Sequence, residues 1–119
     1  MLEIGVISKC MYTDWAAHIV VAKKKDGPPR LAVDFRDLNK VTKKDLFPIG
    51  DMTLLFDSIN ESVIFTSMDL YSGYWNLLIA ERDRHKTAFY VPSHYAGVYQ
   101  LNRMPFGICN GPGFFGRLG

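Results

Sequence analysis

The run Asp26-Gly27-Pro28-Pro29, set between two apolar stretches, constrains this chain more than any other feature. Asp-Gly favours a tight turn, and each proline lacks the N–H that a helix interior or an inner strand must donate. No helix can run through it, so residues 15–22 and 30–36 are predicted to fold back on one another as a hairpin. In the return strand Leu31, Val33 and Phe35 share one face, because successive strand side chains alternate. The pattern recurs near the other end, where residues 87–91 and 97–101 flank a turn that opens on Pro92.

Between the hairpins, Met52, Leu55, Phe56 and Ile59 recur at helical spacing behind Asp51, whose carboxylate can cap the first turn. Residues 63–70, Val-Ile-Phe-Thr-Ser-Met-Asp-Leu, are β-branched and apolar and predict a buried central strand ending near Asp69. The short polar stretch 37–40 predicts no element, and residues 81–84 predict a charged helical turn or loop. Pro112 is placed to start a final helix. With a helix assigned to the apolar opening, Leu2 to Ile7, the order is helix, hairpin, helix, strand, helix, hairpin, helix. That is an α+β arrangement, mainly antiparallel with flanking helices, that stops as its last helix begins and so predicts a truncated domain.

At 119 residues, 48% of them hydrophobic, the chain can bury a core and is not a solvated coil. Its apolar runs are far shorter than the ~20 residues needed to cross a bilayer, so no membrane span is predicted. The opening residues lack a basic leader, which predicts no secretory signal and an intracellular protein. Cys10 and Cys109 stand far apart with no metal-ligand spacing, which predicts two reduced thiols. The net charge of +2 implies no partner by itself. Neither a Walker-type phosphate loop nor a kinase motif set is present, and His18, His85 and His94 have no nucleophile at recognisable spacing.

Three clusters can carry chemistry, each with a plainer alternative. Asp69, at the end of a core strand, either holds a cation or closes the strand and caps the turn at Ser72-Gly73. Lys23, Lys24 and Lys25 with Arg30 gather at one hairpin tip, either to grip a phosphate chain or to keep an edge strand solvated. Tyr71, Tyr74 and Trp75 bracket Gly73, which permits close backbone approach, and they either wall a pocket or pack in the core. The loop Arg103-Met104-Pro105-Phe106-Gly107 is rigid but uninformative alone.

In order, these segments resemble the fingers and upper palm of a reverse transcriptase of the long-terminal-repeat retrotransposon (gypsy-like) and retroviral type. The matching pieces are Asp14-Trp15-Ala16-Ala17 with Ile19-Val20-Val21, then Lys23 to Gly27, then residues 30–42 (Arg-Leu-Ala-Val-Asp-Phe-Arg-Asp-Leu-Asn-Lys-Val-Thr). Residues 65–74 (Phe-Thr-Ser-Met-Asp-Leu-Tyr-Ser-Gly-Tyr), Lys86 to Phe89 and residues 104–112 (Met-Pro-Phe-Gly-Ile-Cys-Asn-Gly-Pro) complete the series. The resemblance spans nearly the whole chain, and its ordered series makes it specific.

The resemblance implies RNA-directed DNA polymerisation by two-metal phosphoryl transfer, with an RNA or DNA template-primer and a dNTP as partners. Asp69 is implied as the first catalytic carboxylate and, with the backbone carbonyl of Leu70, as a ligand of magnesium, or alternatively manganese. Lys24 and Arg30 are implied to hold the triphosphate, together with the N–H groups of Ser72 and Gly73. Tyr74 is implied to exclude a ribose 2′-hydroxyl, with Phe106 lining the same pocket. Lys23, Lys25, Gly107 and Pro112 are implied to meet nucleic acid. The departures also matter. The family's second pair of carboxylates, on a Tyr-x-Asp-Asp hairpin, is absent, and no Asp or Glu follows Asp83. The thumb, RNase H and other polyprotein domains are missing. His18 stands in place of a proline, Trp75-Asn76 in place of a His-Gln pair, and Gly113, Gly116 and Gly119 are expected to loosen the last helix. The chain is therefore expected to be inactive alone. The alternatives are a non-catalytic nucleic-acid-binding remnant of a retrotransposon polyprotein and a product that barely folds.

Overall fold

The computed structural model describes residues 4–94 and 96–118. It contains mixed helices and antiparallel strands. β1 (Ile7–Lys9), β5 (Gly97–Leu101) and β4 (Phe89–Val91) form one antiparallel sheet in the order β1-β5-β4, while β2 (Ile19–Ala22) and β3 (Arg30–Val33) form a separate hairpin. A single parallel bridge, Ala17 to Phe89, ties the hairpin to the sheet. The helices are α1 (Arg36–Val41), α2 (Met52–Ile59), α3 (Glu81–Arg84) and α4 (Gly111–Leu118), with 3₁₀ turns at Gly73–Asn76 and His85–Thr87. Among the described residues no helix is long and apolar enough to cross a membrane.

Both predicted hairpins form. Ala22 faces Arg30 across the Asp-Gly-Pro-Pro turn, and Val91 faces Gly97. The core is small and sits where the hairpin base meets the sheet. Phe35 (3% exposed), Phe89, Tyr99 and Leu101 (2% exposed) form it, with Val33, Leu38, Trp75 and Ile108 packed around. The buried Thr87 hydroxyl donates to the Arg84 carbonyl (2.7 Å) and accepts from the Leu101 N–H (2.9 Å), so it is buried without losing hydrogen bonds.

Three expectations are corrected. The opening does not form a helix from Ile4 onward: residues 7–9 pair with β5 as β1, because alternation lets Ile7 face the core beside Leu101; Leu2 lies outside the described residues. Residues 37–40, read as a short polar stretch, lie within α1, which also takes Arg36 from the predicted return strand. Its first N–H is satisfied from outside the helix, by the Asp34 carboxylate (3.0 Å), and only Leu38 points to the core. The predicted helix Met52–Ile59 forms, capped as expected by Asp51 accepting from the Thr53 N–H (2.8 Å), yet it buries none of its residues.

The last correction is the largest. Residues 63–70 form no strand, and Asp69 is not buried. A β-prone segment becomes a strand only by pairing its N–H and C=O groups with a neighbour, and no described strand runs beside it. From 48 to 72 every residue except Ile59 is exposed. The radius of gyration, 17.5 Å, accordingly exceeds the roughly 13.5 Å of a compact domain of this length.

Candidate functional site

The residues that converge best come from three distant parts of the sequence. Arg30 opens β3 at the base of the basic hairpin tip, and its guanidinium carbon lies 5.5 Å from the centroid of the Phe106 ring. Phe106 in turn lies 4.8 Å, centroid to centroid, from Tyr74, tilted by 34°. Tyr74 meets Phe115 of α4 edge-on, at 5.2 Å and 62°. The result is a continuous row, Arg30–Phe106–Tyr74–Phe115. Cation–π and edge-to-face contacts each contribute on the order of 1 kcal/mol, enough to orient side chains that are only partly covered.

The backbone explains why these side chains meet. β5 runs on into residues 102–104, where the Ile79 N–H donates to the Asn102 carbonyl and the Met104 N–H to the Leu77 carbonyl (both 2.9 Å). These bonds set the turn Gly73–Asn76 beside the loop that carries Phe106. Asn39 of α1 fixes the other side of that loop. Its amide donates to the Gly107 carbonyl (2.7 Å) and accepts from the Cys109 N–H (2.9 Å). Because α1 follows β3, this clamp also ties the loop to the hairpin that carries Arg30. Gly107 sits at φ +97°, where a β-carbon is disfavoured, which accounts for glycine after Phe106. Ser72 takes the left-handed conformation (φ 49°) despite its side chain, so the turn into Gly73 stores strain.

The other predicted residues are placed less tightly. Lys23, Lys24 and Lys25 lie at the hairpin tip, exposed, with no ion pair among the described residues. Asp69 and Leu70 lie on the exposed segment before the turn, and the Leu70 side chain reaches to 3.6 Å from where a Gly73 β-carbon would stand. Asp69 has no hydrogen-bond or ion-pair partner among the described residues. Tyr71 is exposed, while Trp75 packs against the core. Pro112 is exposed on α4. Among the described residues no three His, Cys, Asp or Glu side chains gather as a metal site.

Charge near the hairpin base is locally paired. Arg36 grips Asp34 with bonds of 2.6–3.0 Å and holds its carboxyl at about 2, well below the ordinary 3.8; the Arg36 backbone N–H adds to the effect. Lys40 lowers Asp37, and Lys86 lowers Asp83, each by a direct hydrogen bond. An open groove of about 620 Å³ is lined mainly by apolar residues, among them Leu38, Val41, Met104, Ile108 and Phe114. Arg30, Ser72, Gly73, Tyr74 and Phe106 do not line it.

A family model described as "Reverse transcriptase (RNA-dependent DNA polymerase)" matches residues 22–118. The chain belongs to the reverse transcriptase family. It is 40% identical over 123 aligned residues to the "Retrovirus-related Pol polyprotein from transposon opus" of Drosophila melanogaster, covering 99% of this chain and 12% of that protein. Identity to the "Transposon Tf2-3 polyprotein" of Schizosaccharomyces pombe is 36% over 114 residues, 96% of this chain and 8% of the relative. The gypsy Pol polyprotein of Drosophila melanogaster is 39% identical over 88 residues, 74% of this chain and 8% of the relative. This chain thus spans about a tenth of the length of such polyproteins. Against that background, Asn39 and Phe115 are the site residues to which sequence reading assigned no role. Neither has a local signal, because each acts through a contact made only in the folded chain.

Proposed function

We propose that this chain forms the fingers and upper palm of a right-hand polymerase, residues 1–119 being one partial reverse transcriptase domain, and that its row of aromatic side chains grips a deoxynucleoside triphosphate. The convergence of Arg30, Tyr74 and Phe106 from three remote segments is the observation that supports this best. Lys24 and Arg30 hold the triphosphate, since cations on a hairpin tip can close on a phosphate chain at little conformational cost. The N–H groups of Ser72 and Gly73 contact the same phosphates. Tyr74 lies under the sugar and rejects a 2′-hydroxyl by bulk, and Phe106 lines that pocket. Lys23, Lys25, Gly107 and Pro112 meet the template-primer.

Asp69 and the Leu70 carbonyl are hard oxygen donors of the kind that suit magnesium or manganese. They do not make a two-metal centre. No third ligand gathers near them among the described residues, and no acidic residue follows Asp83. The function this chain supports on its own is therefore nucleotide and template grip rather than completed phosphoryl transfer.

Primer extension by the chain, with an RNA template, dNTPs and magnesium, is expected to yield no product; robust synthesis would contradict this reading. Binding of a short RNA–DNA hybrid is expected to weaken steeply with salt. Converting Lys23, Lys24 and Lys25 to Gln should then reduce the slope of log K against log salt by up to about 3. Binding that ignores those substitutions would leave the fingertip without its role.

A further inference from the structure

We propose that Phe115 is a positioning residue for nucleotide selection, holding the Tyr74 ring where it can exclude a ribose 2′-hydroxyl. This rests on reading Tyr74 as the sugar gate.

Tyr74 is only half-buried, so burial alone does not fix its ring. Two aromatic contacts do. Phe106 lies against the ring but is itself exposed, on a loop. Phe115 meets the ring edge-on, and it comes from a helix. The approach is so close that a β-carbon on Gly73 would stand 2.9 Å from Phe115 Cζ and 3.0 Å from Cε2. Any side chain there would push Phe115 off Tyr74. Glycine before Tyr74 thus has a second use besides admitting phosphate: it admits the buttress.

Phe115 is in turn held from behind. Arg117 Nη2 lies 2.7 Å from Asp45 Oδ1, and the Arg117 guanidinium stacks 5.1 Å from the Phe47 ring centroid. Phe47 approaches to 3.3 Å and 3.5 Å of where β-carbons would stand on Gly116 and Gly113. Gly113 and Gly116, two of the glycines expected to loosen α4, leave room for this close approach of Phe47; Gly119 lies outside the described residues. Helix, buttress and gate form one mechanical series that ends on the Tyr74 ring.

The test uses the whole chain carrying 3-fluorotyrosine at position 74, with dATP and ATP affinities read by saturation-transfer NMR. Phe115→Leu keeps an apolar side chain and the Arg117 anchor but removes the ring edge. It is expected to move the fluorine resonance and to shrink the dATP-over-ATP preference by about threefold to tenfold. Phe115→Tyr should retain both. In Tyr74→Ala, measured without the label, the preference should vanish, and adding Phe115→Leu should change nothing further. An unchanged preference in Phe115→Leu, or a further loss in the double variant, would overturn the proposal. If the unsubstituted chain fails to prefer dATP, the gate reading itself fails. The fluorine resonance then still shows whether Phe115 holds the ring: a moved signal keeps the contact and discards the selectivity, and an unmoved one discards both.

Discussion

Residues 48–72 and the body built by residues 73–111 are similarly rich in large apolar side chains, yet the two behave oppositely. Val63 and Met68 are 92% and 91% exposed, whereas Phe89, Tyr99 and Leu101 are buried. The difference is pairing. β4, β5 and β1 exchange backbone hydrogen bonds and so present one shared apolar face. The segment 63–70 has the composition of a strand but no described strand beside it, and α2 has a capped first turn but no surface to lie on. Apolar composition therefore measures the demand for burial, and only a hydrogen-bonding neighbour decides whether it is met.

The sharpest way to break this contrast is to truncate one residue in each region. Leu101→Ala is expected to destabilise the chain by about 3 kcal/mol in urea denaturation, through lost transfer energy and a residual cavity. Val63→Ala should change stability by less than about 0.5 kcal/mol, because it removes nothing that is packed. Equal effects would mean that residues 48–72 belong to the cooperative core. Next in size is Asn39→Leu, which leaves the Gly107 carbonyl and Cys109 N–H without their partner and should cost about 2 kcal/mol. The same variant should broaden the Phe106 ring signals in NMR, whereas a clamp of no consequence would leave them sharp.

A smaller effect concerns pH. Asp34 is held at about 2 in the folded chain against an ordinary 3.8. Its pairing with Arg36 thus supports the fold above pH 3.8 and is lost as pH falls through about 2. A carbon-13 titration of the Asp34 carboxyl should show this low value, and Arg36→Gln should return it toward 3.8. The smallest expected change is a gain: Ser72→Gly relieves the left-handed strain and should add up to about 1 kcal/mol of stability.

How much of this could be read from the sequence depended on how local each cause is. The hairpins were legible because turn chemistry and alternation lie within a few residues of each other, as at Asp26 to Pro29. The Asp51 cap was legible for the same reason. α1 was not, since its cap comes from Asp34 outside the helix and a single apolar residue, Leu38, faces inward. Residues 63–70 misled because β-branching states a preference that only a partner can satisfy. In the site, the family resemblance pointed to Arg30, Tyr74 and Phe106 separately, and their meeting is a tertiary fact. Phe115 lies outside the matching segments and reads as one more apolar helix residue, while Asn39 lies within one but reads as polar surface with no role.

The central role proposed for the aromatic row is a nucleotide grip. An amide NMR map of the chain titrated with magnesium dTTP tests this directly. Perturbations should cluster at Lys24, Arg30, Ser72, Gly73, Tyr74 and Phe106. Shifts confined to the apolar groove around Leu38, Met104 and Phe114, or no shifts at all, would contradict it.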